Sequence, residues 1–145
     1  MYIITIYLEN IIGVLREIEN KNYQLRAWAE GGAVSGDMTI SFIEAACMLF
    51  DDCGIGDLMK ENEVIISKPI TETLQSMSDV MDAIDAKRPE EEIINDPKMQ
   101  IVREKAARIL TLIEASDGSE STVRFVKVGT PDAPITIEEA LKATA

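Results

Sequence analysis

The feature that most constrains the fold is a set of apolar stripes at helical spacing. The clearest stripe recurs every three or four positions between residues 68 and 87: Ile70, Leu74, Met77, Met81 and Ile84. This spacing places the apolar side chains on one face of a helix that is predicted to end near Lys87. Ser67 and Pro69 fit its start, because a proline in the first helical turn lacks an N–H that would be unpaired anyway. Glu72 and Asp79 fall roughly opposite the stripe.

Two further stripes predict a first and a last helix. The first stripe is formed by Ile4, Leu8, Ile11, Leu15 and Ile18 and predicts a helix that ends near Asn20. Residues 3–8 are also rich in Ile, Tyr and Thr, so a strand at the start is the alternative. Asp96-Pro97 predicts the start of a helix that ends near Ala115. We expect this helix to bury Met99, Val102, Ala106, Ile109 and Ile113, and to expose Lys98, Arg103, Lys105 and Arg108.

A second main helix is predicted from Asp37 or Thr39 to Asp52. Nearly all of its circumference is apolar, except for a narrow strip with Ser41, Glu44, Asp51 and Asp52, and a helix of this kind is usually central to its fold. Before it, residues 23–28 predict a short helix, and the glycine-rich residues 30–36 predict a loop.

The C-terminal residues differ from the helical part. Residues 122–128 alternate apolar and polar and predict a strand, whereas Thr136 and Glu139 form a capping box for a short helix, Ile137 to Ala143. We therefore expect a mainly α single domain over 1–145, a bundle of about four main helices. Residues 1–115 form the helical core, and 116–145 form a C-terminal extension of strand, turn and helix.

Negative charge is concentrated in the middle of the chain. The net charge is −12, and residues 37–96 account for −11 of it, with fifteen acidic and four basic residues. Such charge disfavours nucleic acid and anionic membrane as partners and favours a basic protein, although it also serves solubility alone. If the two middle helices pack antiparallel, their polar strips form one acidic face. We expect that face to bind the partner through Glu44, Asp51, Asp52, Asp57, Glu72, Asp79, Asp82, Glu90, Glu91 and Glu92.

The sequence offers little catalytic chemistry. It contains no histidine, which removes the commonest general base and metal ligand. No phosphate-binding loop or EF-hand pattern occurs. We therefore expect a protein that is not an enzyme and uses no cofactor or metal. A metal hydrolase built on carboxylates such as Asp51, Asp79 and Asp85 is the alternative.

The two cysteines, Cys47 and Cys53, lie among apolar residues, and we expect both to be buried free thiols. Inside one helix their spacing corresponds to about 9 Å of rise, which is too long for a disulfide. The N-terminal sequence lacks the basic region and cleavage site of a signal peptide, and Glu9 interrupts its apolar run. These features predict a cytoplasmic protein.

Residues 23–115 resemble a known family. The resemblance is carried by Arg26-Ala27-Trp28, by an apolar helix running from Phe42-Ile43-Glu44 to Phe50-Asp51-Asp52, by the Met- and Leu-striped acidic helix, and by Glu-Glu-Ile-Ile-Asn-Asp-Pro at 91–97, which leads into Arg103, Ala106 and Leu110. Together they look like the small helical immunity proteins of bacterial contact-dependent growth inhibition and related polymorphic toxin systems.

The resemblance implies a cytoplasmic protein that binds one cognate toxin domain and blocks its active site or substrate surface. Many such toxins are nucleases, which are basic where they hold phosphate. The alternative function is a structural or oligomerising helical module of a phage or mobile element. That module would associate as a homo-oligomer through an exposed apolar stripe on the first helix, with Ile3, Ile4, Ile6, Leu8 and Ile12.

Overall fold

A computed structural model of the protein describes residues 4–60, 64–115 and 123–126. The described chain is mainly helical, with α1 Leu8–Glu19, α2 Lys21–Gln24, α3 Phe42–Cys47, α4 Ile55–Lys60, α5 Lys68–Asp82, α6 Glu90–Ile94 and α7 Pro97–Ala115. Two π-helical segments, Leu25–Ala29 and Met48–Asp52, continue α2 and α3. The predicted helix Ile137 to Ala143 lies outside the described residues, as does most of the expected extension 116–145.

Two short strands complete the described elements. β1 Ile4–Tyr7 pairs antiparallel with β2 Val123–Val126, so that Ile4 lies opposite Val126 and Tyr7 opposite Val123. The first helix therefore begins at Leu8, later than its apolar stripe suggested, and the strand kept as the alternative precedes it. β2 falls within the segment 122–128.

The core is organised around α7, against which both α1 and α5 pack. The predicted inner face of α7 is confirmed, since Met99, Val102, Ala106, Ile109 and Ile113 are all buried. The α5 stripe is confirmed as well, including Ile84 just beyond the helix. The Ser67 hydroxyl caps α5 by accepting from the Ile70 N–H, but the helix ends at Asp82, earlier than the predicted Lys87.

The expectation for the second main helix was wrong in two respects. The helix begins at Phe42, after an N-cap at Ser41, and it is not central. Phe42, Ala45 and Leu49 are buried, whereas Ile43 is 53% exposed. Apolar residues around most of the helix predict that it is buried on every side, but α1 and α7 already form the centre of the core. One face of α3 is therefore left apolar and open.

The start of α3 is fixed by a hydrogen-bond cluster around Thr39. The Glu17 carboxylate on α1 accepts from the N–H groups of Met38 and Thr39, both at 2.9 Å, and from the Thr39 hydroxyl at 2.7 Å. The Trp28 indole donates to that hydroxyl at 3.1 Å, and the Tyr23 hydroxyl donates to the Thr39 carbonyl. Burial raises the pKa of Tyr23, which keeps the donating proton in place. Residues 37–40 are consequently held outside the helix.

The prediction that Arg103 is exposed on α7 was wrong, because its side chain is buried. Its Nη1 donates to Gln24 Oε1 at 2.9 Å and to the Ile94 carbonyl at 3.1 Å, and its Nε donates to Gln100 Oε1 at 3.0 Å. Burial lowers the pKa of Arg103. Among residues 8–60 and 64–115, no carboxylate lies within ion-pair distance of the guanidinium.

Candidate acidic groove

A groove separates α3 and its π-helical continuation from α5. Its larger part has a volume of ≈ 460 Å³, and α4 closes one end. The first wall carries Ala46, Cys47, Phe50 and Asp51, α4 carries Gly56, Asp57, Met59 and Lys60, and α5 carries Gln75, Ser78 and Asp82. The α5 residues are spaced by three and four positions, so they form one continuous stripe beside the buried one. We call this feature the α3–α5 groove.

A second, smaller hollow extends the groove along α3. It has a volume of ≈ 260 Å³ and reaches Ile43, Ile84 and Ala86. Ala46, Cys47, Phe50 and Asp82 line both hollows, which makes the two continuous. The groove therefore has a floor rich in apolar side chains, and exposed Ile43 lies at one end of it.

Three predicted acidic residues line the groove. Asp51, Asp57 and Asp82 come from three different elements, and all three are exposed. Among the described residues, none of their carboxylates has a hydrogen-bond or ion-pair partner. Lys60 is the only cation that lines the larger hollow among the described residues. The structure thus brings together acids that lie up to 31 positions apart in sequence and leaves their charge available.

The corner of the groove depends on Gly56. A Cβ at this position would lie 2.8 Å from the Phe50 carbonyl oxygen, closer than real Cβ contacts allow. The absence of a side chain lets α4 approach the π-helical segment Met48–Asp52, where the Cys53 N–H donates to the Met48 carbonyl at 3.0 Å. π-helical turns frequently occur at functional sites, and this one places Phe50 and Asp51 on the groove wall.

The two cysteines are free but not equivalent, and the expectation that both are buried was wrong for Cys47. Cys47 is exposed on the open face of α3, where it lines both hollows. Cys53 is half-buried, and burial raises its pKa to about 11, with the Asp52 charge adding to the effect. Cys47 is therefore a thiol through which occupancy of the groove can be followed.

Five predicted site residues are exposed but do not line either hollow: Asp52, Glu72, Asp79, Glu91 and Glu92. Glu72 lies 4.0 Å from Lys68 on the exposed side of α5, and Asp79 accepts from Gln75 at 3.0 Å. They add to the negative potential of the region without contributing to the groove itself.

The remaining two predicted residues have structural roles. The Glu44 carboxylate accepts from the Ile40 N–H at 3.2 Å, and its own N–H donates to Ser41. Glu90 accepts from the Phe42 N–H at 3.1 Å and so ties α6 to the first turn of α3. Partial burial raises the pKa of Glu90, and the Phe42 N–H opposes that rise. Both carboxylates accept from backbone N–H groups, so a cation that bound them would compete with hydrogen bonds that hold the start of α3.

Sequence reasoning missed the apolar floor of the groove. Phe50 and Met59 line the groove and are half-buried, and Ile43 at its end is 53% exposed. The signal was present in the wide apolar face of residues 40–50, but it was assigned to the core.

Two further observations apply to the described part of the chain. In residues 4–60, 64–115 and 123–126, no group of three or more Cys, Asp or Glu converges as metal ligands. None of the helices described has the length and apolar content needed to cross a bilayer.

Comparisons of the chain with protein-family models, with curated proteins and with solved structures find no match.

Proposed function

We propose that the protein is a cytoplasmic immunity protein that binds a cognate basic toxin domain and blocks its active site. The observation that carries the proposal is the α3–α5 groove, in which Asp51, Asp57 and Asp82 surround an apolar floor. Protein interfaces commonly combine an apolar centre with a polar rim. The resemblance of residues 23–115 to helical immunity proteins supplies the toxin as the partner, and a nuclease domain has the required positive charge.

The electrostatics favour fast association with such a partner. Two unit charges about 10 Å apart in water interact by about 0.4 kcal/mol, and 0.1 M salt reduces this to roughly a third. Replacing Asp51, Asp57 and Asp82 by lysine changes the charge of the rim by six units. For each partner cation at that distance, the barrier to association rises by about 0.8 kcal/mol, or about fourfold in rate. With several cations we expect a loss on the order of tenfold or more.

The first experiment identifies the partner and its effect. Proteins captured from host cells by the immobilised protein would be identified and expressed alone and together with it. We expect a basic protein that stops growth alone and permits growth when both are present. A captured partner without any effect on growth would contradict the proposed function.

The second experiment uses a rim variant in which Asp51, Asp57 and Asp82 are replaced by lysine. Its association rate is measured between 0.05 and 0.5 M salt, roughly a threefold range of Debye length. The control variant carries Lys at Glu19, Glu30 and Glu114, which are exposed, lie near helix C-termini and do not line the groove. Its net charge matches that of the rim variant. We expect only the rim variant to associate slowly and to lose its salt dependence. An asparagine version of the rim variant preserves side-chain shape, and circular dichroism checks that each variant folds.

Self-association is the second candidate function, and the exposed pair Ile40 and Ile43 favours it. Of the stripe expected on the first helix, Leu8 is buried and Ile12 is partly buried, whereas the side chains of Ile3, Ile4 and Ile6 lie outside the described part of the protein. Sedimentation velocity distinguishes the two candidates: a stable dimer that Ile43→Ser dissociates would favour self-association. The charge of −11 over residues 37–96 opposes such a dimer at low salt.

A further inference from the structure

The shape of the α3–α5 groove indicates what kind of element fills it. The wall from Ile43 to Asp51 covers nine residues, and its eight helical steps correspond to about 12 Å. Side chains at positions i and i+7 of a helix lie about 10.5 Å apart along its axis. The wall is therefore long enough to hold two apolar side chains from one face of a helix.

The chemistry of the walls also favours a helix over a strand as the occupant of the groove. Apart from Ile84 and Ala86, which follow α5, the residues of the walls are helical, so their backbone groups are largely paired within the helices and offer no edge to which a strand could add. Recognition must then come from side chains. The floor offers apolar contacts from Ala46, Phe50 and Met59, and the rim offers three carboxylates that have no partner within the described part of the chain.

We propose that the groove holds an amphipathic basic helix of the partner. Its apolar side chains enter the two hollows, and its Lys or Arg side chains reach Asp51, Asp57 and Asp82. This inference rests on the proposed function for the identity of the partner, and it adds the element by which the partner is held. Burying apolar anchors supplies affinity, while the charges supply orientation and association rate.

Charge selects this occupant over the two others that the chain itself offers. Residues 127–145 carry three acids and two bases, so this segment has a net negative charge. A second copy of the chain would present the same acidic rim. Both would bring like charges to Asp51, Asp57 and Asp82, which is unfavourable. A cationic amphipathic element is the complementary one.

The test uses the full protein and a synthetic probe. The probe is a fluorescent peptide of about 14 leucine and lysine residues in amphipathic order, about four helical turns. A scrambled peptide of the same composition retains the charge and loses the apolar face. Fluorescence anisotropy measures both affinities. We expect the ordered peptide to bind about tenfold or more tightly than the scrambled one, which corresponds to about 1.4 kcal/mol.

A pair of variants on α5 separates the groove from the general acidic surface. Asp82→Lys changes the rim, whereas Glu72→Lys makes the same charge change on the same helix outside the groove. Lysine at Asp82 also suits the C-terminal turn of a helix, so the fold is retained. We expect about fivefold weaker peptide binding for Asp82→Lys and less than about twofold for Glu72→Lys.

Alkylation of Cys47 with N-ethylmaleimide provides an independent block. We expect the modified protein to lose peptide binding, and bound peptide to slow the alkylation. The same treatment should leave the affinity of Cys47→Ser equal to that of the untreated variant, whatever the substitution itself does to binding. Equal binding of the ordered and scrambled peptides, or equal effects of Asp82→Lys and Glu72→Lys, would overturn the inference. If a toxin domain still binds in a rim-dependent manner after such a result, the proposed function stands and only the helix in the groove is wrong. If the peptide binds but no growth-inhibiting partner exists, the groove still holds a basic helix and the proposed function is wrong.

Discussion

The buried pair of Gln24 and Arg103 allows a quantitative test of how the helices are held together. Gln24→Leu removes an acceptor from the Arg103 guanidinium and two donated hydrogen bonds, to the carbonyls of Glu17 at 3.1 Å and Ile18 at 2.5 Å. A hydrogen bond to a charged group contributes about 1.5–3 kcal/mol and each amide–carbonyl bond about 1 kcal/mol. Burial of the leucine offsets about 1 kcal/mol. We expect Gln24→Leu to lower the free energy of unfolding by about 3 kcal/mol.

The second half of the test is Arg103→Met, alone and combined with Gln24→Leu. Arg103→Met leaves Gln24 Oε1 without its donor, whereas in the double variant neither partner is left unpaired. The loss in the double variant should therefore fall short of the summed single losses by about 2 kcal/mol, the energy of the charged hydrogen bond. Gln100 is the matched control, because it also accepts from Arg103, at 3.0 Å, but is exposed to water. We expect Gln100→Leu to cost less than about 1 kcal/mol.

Urea unfolding measures these free energies, with far-UV circular dichroism and the fluorescence of Trp28 as probes. Trp28 is the only tryptophan and is buried in the segment that follows Gln24. Coincident transitions by the two probes would support two-state analysis. Additive losses for Gln24 and Arg103, within about 0.5 kcal/mol, would refute the claim that their hydrogen bond is a buried and coupled one. Equal costs for Gln24→Leu and Gln100→Leu would refute the role of burial.

Three other predictions concern the groove and its support. Gly56→Ala should lower the free energy of unfolding by about 2 kcal/mol in urea titrations, despite the better helix propensity of alanine, because the new Cβ meets backbone atoms. The control is Gly13→Ala, whose Cβ meets only a flexible Met side chain. It should change the free energy of unfolding by less than about 1 kcal/mol. The pKa of Glu90 is raised in the folded protein, so ionisation of its partly buried carboxyl lowers stability as pH rises through that pKa. Glu90→Gln should therefore be more stable than the unsubstituted protein at pH 7, and this difference should vanish below the ordinary Glu pKa. Iodoacetamide at pH 8 should label Cys47 well before Cys53, since with a pKa of about 11 only about one Cys53 thiol in a thousand is ionised, and peptide mass mapping would show the reverse if the assignment were wrong.

The helices that could be predicted are those whose apolar side chains recur regularly along one face. The stripe of α5 and the inner face of α7 are local patterns, and both are buried as their spacing indicates. Arg103 could not be placed in the same way, since its partner Gln24 lies 79 positions earlier in the chain. A lone arginine between exposed basic residues gives no sign that a distant amide will accept from it.

The error on α3 has a different cause. An apolar helix surface is compatible with the core and with an open binding face, and only the position of neighbouring helices decides between them. Here the cluster of Glu17 with Thr39 fixes where α3 starts, and the core behind it is already filled by α1 and α7. Ile43 and Cys47 therefore remain outside. The sequence therefore shows that α3 has a wide apolar face, but it does not show which part of that face is buried.

The acidic residues show which part of a binding site a charge count can predict. Glu44 follows Ser41 by three positions, a capping-box spacing that marks its carboxylate as occupied, whereas Glu90 caps the start of α3 from 48 positions away and gives no such signal. Once both are removed, the free acids nearest the apolar floor are Asp51, Asp57 and Asp82. Because these three have no partner among the described residues, binding a cation breaks no internal interaction, and its favourable energy is not offset by a lost hydrogen bond. Charge that is already unpaired beside an apolar groove is therefore better suited to recognition than the larger number of acids elsewhere on the same helices.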